Sequence, residues 1–140
     1  MFNLFELIVL GAGPGGYVAA FIASQLGLIV AVVEREHLGG ICLNWGCIPT
    51  KAMLRSAEVY HLAERAKEFG LSAEKISFDL NKIVERSRKI SGQLNQGVGH
   101  LLKKNKVTVF SGEAKLLDRS NVSINSDGKY EKITAKNICL

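Results

Sequence analysis

At 140 residues, with 47% hydrophobic and 22% charged side chains, the chain has the size and composition of one globular domain and not of a disordered segment. The net charge of +5 gathers on Lys82, Arg86, Arg88, Lys89, Lys103, Lys104 and Lys106, but no aromatic residues interleave them, which argues against a nucleic-acid face and for a solvated helix. MFNLFELIVL has no basic n-region and is cut short by the glycines of Gly11–Gly16, so neither a signal peptide nor a membrane span is expected; three cysteines without an export signal disfavour a disulfide framework and point to a reducing, cytoplasmic compartment.

The elements read in chain order. Leu4–Leu10 is a short, nearly continuous apolar run, the pattern of a strand buried on both faces. It runs into GAGPGG. Tyr17–Leu26 carries Val18, Phe21, Ile22 and Leu26 at helical spacing, and Gly27 closes that helix. Leu28–Val33 predicts a second buried strand, ending on Glu34. Strand, turn, helix and strand have the size of a βαβ unit. Pro49–Phe69 predicts a helix with Met53, Ala57, Tyr60 and Ala63 along its packed side. Asp79–Lys104 predicts a longer one with a stripe of Leu80, Ile83, Val84, Ile90, Leu94, Val98, Leu101 and Leu102. Gly92, Gly97 and Gly99 allow for a break in its C-terminal half. Val107–Phe110, Val122–Ile124 and Lys132–Ile138 predict strands, the last two joined at Asp127-Gly128.

Two motifs carry chemistry. Gly11, Gly13 and Gly16 form G-x-G-x-x-G between a predicted strand and a predicted helix. The first glycine permits the tight turn, the second lets a pyrophosphate approach the backbone, and the third lets helix and strand pack closely. Free N–H groups and the positive dipole end of the helix suit the phosphates. Glu34, about 20 residues on, is placed to accept hydrogen bonds from an adenosine ribose and to repel a 2′-phosphate. An unphosphorylated dinucleotide, FAD or NAD, is the expected ligand.

The second motif is GGICLNWGCIPTKAM, with Cys42 and Cys47 five positions apart. As a structural staple the pair is a poor choice, since a loop this short gives about 2 kcal/mol by the chain-entropy estimate. As a metal site it lacks ligands: His37 is near, but no second cysteine or histidine pair completes a tetrahedral set. As a redox couple it explains its neighbours. Pro49 places a helix start within a residue or two of Cys47, where the dipole stabilises a thiolate, and Lys51 adds a positive charge in the same turn.

GAGPGG, then VVERE, then LGGICLNWGCIPTKA resembles the N-terminal part of the FAD-dependent pyridine nucleotide–disulfide oxidoreductases. Within that family CLNWGCIPTKAMLRSAE is most similar to the dihydrolipoyl dehydrogenase branch; glutathione and mercuric reductases share the cysteine spacing, usually with Val-Asn-Val between. The resemblance spans essentially the whole chain. It implies an α/β, Rossmann-like FAD-binding domain with a central parallel sheet over residues 1–140, incomplete at its C-terminus. Gly11, Gly13 and Gly16 would hold the FAD pyrophosphate, Glu34 the ribose, with Pro14, Arg35 and Gly40 also on the cofactor side. Cys47 would lie nearest the flavin and form a charge-transfer pair with it when reduced. Cys42 would exchange with dihydrolipoamide, carried on a lipoyl domain of a 2-oxo acid dehydrogenase complex. Lys51 would reach the flavin ring, and Ala114 in the GEAK stretch would lie beside the adenine. Cys139 matches nothing in the motif and is expected to be a buried strand thiol.

The same resemblance places the NAD-binding domain, the dimerisation domain and the acid/base His–Glu pair of the homodimeric relatives outside these residues. The isolated 140 residues are therefore expected to expose an unfinished sheet edge and to show no NAD-linked turnover. A catalytically silent product that at most binds FAD, and a dithiol–disulfide module without flavin, stay open as alternatives.

Overall fold

The computed structural model describes residues 4–140, so the first three residues of the N-terminal run lie outside it. The chain opens with a strand–helix–strand unit, β1 (Leu4–Leu10), α1 (Pro14–Gln25) and β2 (Val30–Glu34). The motif segment follows as α2 (Gly40–Asn44) and α3 (Cys47–Glu64), with a single 3-10 turn at Ala66–Phe69. Then come α4 (Leu80–Lys104), β3 (Thr108–Ser111), β4 (Glu113–Leu116), β5 (Asn121–Ser126) and β6 (Lys129–Cys139).

The sheet order is β3-β2-β1-β6-β5-β4. Its centre is parallel: β1 pairs with β2 (Leu7 opposite Val30) and with β6, and β2 pairs with β3. β4, β5 and β6 form an antiparallel meander, so the parallel sheet expected from the sequence is extended beyond β6 by two strands, β5 and β4, running alternately. β6 belongs to both parts. Its first half, to Thr134, pairs with β5, and its second half, from Thr134 to Cys139, pairs with β1. Beyond Thr134 it keeps its pairing with β1, and on the other side the Ala135 N–H reaches the Ser120 carbonyl at 2.9 Å. The turn between β5 and β6 falls at Asp127-Gly128, both at positive φ (50° and 83°), as the sequence predicts for a tight hairpin.

This arrangement makes two cores, one on each face of the parallel sheet. On one face Val9, Val30 and Val32 meet Ala20 of α1, Leu43 of α2, and Val98 and Leu102 of α4. On the other, Phe5, Ile8, Ala31 and Val33 meet Val122, Ile124 and Ile133 of the meander. Alternation along β2 sends Val30 and Val32 one way and Ala31 and Val33 the other, which is why the run is apolar throughout.

The helices depart from the sequence reading in their faces more than in their extent. α4 runs unbroken for 25 residues through all three glycines, with Asp79 capping it through the Lys82 N–H at 3.2 Å. Its buried face is Ser87, Ser91, Val98 and Leu102, whereas Leu80, Val84, Leu94 and Leu101 of the predicted stripe are exposed. Periodicity alone cannot say that serines line the inward face; Ser87 satisfies its hydroxyl on the Val84 carbonyl at 2.7 Å and so costs little to bury. α3 likewise turns Pro49 and Ala52 inward, leaving Met53 and Ala57 exposed. It begins at Cys47, two residues before Pro49, and gives way to the 3-10 turn after Glu64. Cys139, expected to be buried, is exposed at the end of β6, where no element covers it among the described residues.

Leu102 is fully buried against the sheet, while its neighbour Leu101 is 42% exposed. Leu102→Ala is expected to cost about 3 kcal/mol in urea denaturation, and Leu101→Ala less than about 1 kcal/mol.

Candidate functional site

The site forms where the C-terminal ends of β1 and β2 meet the start of α1. Gly11 leaves β1 with its N–H on the Val33 carbonyl at 2.8 Å, and Gly13 is the N-cap of α1 with Pro14 at its first position. α1 has no acidic residue in its first turn, so its unpaired N–H groups and positive end are uncompensated. Gly16 packs so closely that a Cβ there would run into the Gly11 carbonyl oxygen. A Cβ at Gly11 or Gly13 would meet no heavy atom within 4 Å, leaving the turn an open cradle.

Glu34 closes β2 beside that cradle. One carboxylate oxygen accepts from the Ala12 N–H at 2.7 Å and the other from the Glu36 N–H at 2.9 Å. Each oxygen keeps a lone pair for a further donor. Glu34 therefore stands fixed against the glycine turn, oriented by the backbone of the residues it would serve.

A groove of about 330 Å³ opens over these groups. Gly11, Glu34, Arg35, Gly40 and Ala114 line it, five positions that the sequence or its resemblance singles out. His37, Ile41, Trp45 and Glu113 line it too, and sequence reasoning missed them. The His37 and Trp45 rings, tilted 48° to each other with centroids 5.2 Å apart, make one wall. Only the tertiary structure brings Ala114 here. Gly112, between β3 and β4, turns the chain back and donates its N–H to the Glu34 carbonyl at 2.9 Å, and Ala114 follows on β4.

The cysteine segment lies against the glycine turn. Gly39 donates to the Ala12 carbonyl at 2.7 Å, and Gly40, at φ +61°, comes so near that a Cβ on it would sit 2.9 Å from the Gly13 Cα. α2 then carries Cys42, and α3 opens on Cys47. The two sulfurs are bonded, with the Cα atoms 4.7 Å apart. Cys47 is the first residue of an 18-residue helix with no side-chain cap and no acid in its first turn. Cys47 is exposed and Cys42 half-buried. Neither lines the groove itself; Ile41 and Trp45, flanking Cys42 in the chain, do. Lys51 is exposed one helical turn after Cys47 on the same face, also away from the groove. No group of three or more His, Cys, Asp or Glu side chains able to hold a metal occurs among the described residues, and no helix among them is long and apolar enough to cross a membrane.

Known proteins resemble the chain over nearly its whole length. A family model described as pyridine nucleotide-disulphide oxidoreductase matches residues 5–140. The chain belongs to this family. It is 55% identical to a dihydrolipoyl dehydrogenase of Zymomonas mobilis over 141 aligned positions, covering 100% of this chain and 30% of that protein. A dihydrolipoyl dehydrogenase of Rhizobium etli is 55% identical over 92% of the chain and 27% of its own length. Among solved structures, an HOCl-induced flavoprotein disulfide reductase of Escherichia coli, determined as a Cu(II) complex, superposes with a TM-score of 0.79 at 21% identity, over 98% of this chain and 28% of that one. At that identity the likeness speaks to the fold, an α/β flavoprotein disulfide reductase fold. The chain thus spans about 30% of the length of the relatives it matches.

Two outcomes check the site's geometry. Gly40→Ala, which adds both a clash and an unfavourable φ, is expected to lower stability by about 2 kcal/mol or more in urea titration, whereas Gly15→Ala, with open space around it, should change it by less than about 1 kcal/mol. After reduction, iodoacetamide at pH 7 followed by peptide mapping should alkylate Cys47, exposed at a helix N-terminus, several-fold faster than the exposed strand cysteine Cys139.

Proposed function

We propose that these residues are the FAD-holding part of a dihydrolipoyl dehydrogenase, with Cys42–Cys47 as its redox-active disulfide. The observation that carries this reading is the interlock of the two motifs: the Gly13 and Gly40 backbones approach so closely that the glycine turn and the segment bearing the cysteine pair lie side by side. The identities of 55% to named dihydrolipoyl dehydrogenases support the choice of branch.

The residues fit the cofactor on their own geometry. The open turn at Gly11 and Gly13 and the N-terminus of α1 would take the pyrophosphate, and Glu34 the adenosine ribose. Arg35 and Ala114 would flank the adenosine, and Gly40 keeps the cysteine segment close enough to face the same ligand. Pro14 presets the first turn of α1 without needing an acceptor for an N–H. FAD held there would supply two-electron redox chemistry between the cysteine pair and NAD, the final acceptor.

The chain's own chemistry is thiol–disulfide exchange. One thiolate of dihydrolipoamide, presented by a lipoyl domain of a 2-oxo acid dehydrogenase complex, attacks the Cys42 sulfur. The S–S bond breaks and Cys47 leaves as a thiolate, stabilised by the dipole of α3 and by the positive charge of Lys51 one turn on. The second substrate thiol then closes the lipoamide disulfide on the mixed intermediate and releases Cys42. Two electrons pass from the substrate dithiol to the cysteine pair, and the substrate's two protons pass to the pair or to solvent. A pair that cycles in this way suits a reducing, cytoplasmic setting. As in the full-length homodimeric relatives that the family resemblance implies, the acid/base for these steps would come from another domain.

The test is the visible spectrum of the purified chain after incubation with FAD and removal of the excess. A retained flavin band is expected, with long-wavelength absorbance on two-electron reduction that Cys47→Ser abolishes. A colourless protein would overturn the reading in favour of a silent chain that keeps the motifs without assembling the site.

A further inference from the structure

The segment that carries the cysteine pair is tied to α4 by polar groups that no part of the exchange chemistry uses. Asn44 lies between the two cysteines, three residues before Cys47. Its amide is fully engaged: Nδ2 donates to the Leu38 carbonyl at 2.9 Å and to the Gly40 carbonyl at 2.9 Å, and Oδ1 accepts from Asn95 Nδ2 at 3.2 Å. Asn95, half-buried on α4 and 51 positions away in sequence, also donates to the Leu38 carbonyl at 2.7 Å. Arg88, two turns earlier on α4, donates Nη1 to the Asn44 backbone carbonyl at 2.9 Å. α4 is itself anchored by Val98 and Leu102 in the helix-side core. The cysteine loop is therefore held from both directions: by the glycine turn through Gly39 and Gly40, and by a rigid helix through Asn95 and Arg88.

We propose that Asn95, acting through Asn44, is a positioning residue for the Cys42–Cys47 couple that favours its disulfide over its dithiol form. The proposal rests on the reading of that pair as a redox couple. Once the S–S bond opens, only the surrounding structure keeps the sulfurs near bonding distance. Polar ties that fix α2 and the residues up to Cys47 raise the effective concentration of one thiol at the other, and so favour reclosure. Without Asn95 the carbonyl of Leu38 and the Oδ1 of Asn44 each lose a donor, the loop between the cysteines gains freedom, and the dithiol becomes the easier state to hold.

The experiment uses the 140-residue chain with Cys139→Ser, so that only the pair reports. It is equilibrated with reduced and oxidised glutathione at pH 7; two glutathione thiols are oxidised to one glutathione disulfide as the Cys42–Cys47 bond breaks and each sulfur takes up a proton. Trapping by alkylation and mass measurement gives the equilibrium. Asn95→Ala is expected to make reduction about tenfold easier, a rise of about 30 mV for a two-electron couple. The urea midpoint of its oxidised form should fall more than that of its reduced form. Equal falls in both forms with an unchanged equilibrium would make Asn95 merely structural and overturn the proposal. Ser91→Ala, on the same helix face, should stay within twofold of the parent; a shift as large as that of Asn95→Ala would also overturn it. Should Asn95→Ala fail to fold, Arg88→Ala, an exposed position, decides: reduction at least twofold easier supports the proposal, and an unchanged equilibrium sinks it. If the parent pair does not open and reclose reversibly at all, the redox reading fails first, and the positioning role with it.

Discussion

The contact on which the site depends is a backbone-to-backbone approach between two glycines far apart in the chain. Gly13 caps α1 and Gly40 begins α2, and a Cβ on Gly40 would sit 2.9 Å from the Gly13 Cα. Beside them the Gly39 N–H closes on the Ala12 carbonyl. The approach leaves no room for a side chain on Gly40, whose φ of +61° also suits glycine, whereas a Cβ on Gly13 would point into open space. A Cβ at Gly40 would force the two motifs apart.

The rest of the fold holds these two segments still. β1 and β2, buried on both faces, fix where Gly11 and Glu34 emerge. α4 spans the helix layer and reaches the cysteine loop with polar side chains while its C-terminal half is set in the core. The meander on the opposite face brings Ala114 to the groove, by way of a turn at Gly112 tied to the Glu34 carbonyl. Because β6 serves both the parallel centre and the meander, that second layer is continuous with the first and cannot shift independently of it.

Much of this was legible in the residues. The apolar runs at Leu4–Leu10 and Val30–Val33, the glycine spacing and the acid at Glu34 are local signals, and each arises from the backbone conformation or burial that the residue type itself imposes. Cys47 at a helix start was legible through Pro49, although the helix begins two residues earlier, because Pro49 is tolerated within a first turn whose N–H groups have no acceptors. Less legible were the helix faces. Leu80, Val84 and Leu94 look like core in a periodic pattern but lie outside, and Ser87 and Ser91 look like surface but lie inside. Burial depends on which face a neighbouring helix covers, and that neighbour is set by tertiary packing.

The sequence by itself determined the kind of fold, the two motifs and the chemistry they can support, since those follow from glycine, acid and cysteine at fixed short spacings. The tertiary structure alone decided that the motifs touch, that His37, Ile41 and Trp45 join the groove wall, that Asn95 and Arg88 reach the cysteine loop, and that Cys139 is exposed. These are contacts between residues dozens of positions apart. They depend on the register of the strands and the rotation of α4 about its axis, quantities that no short stretch of chain encodes.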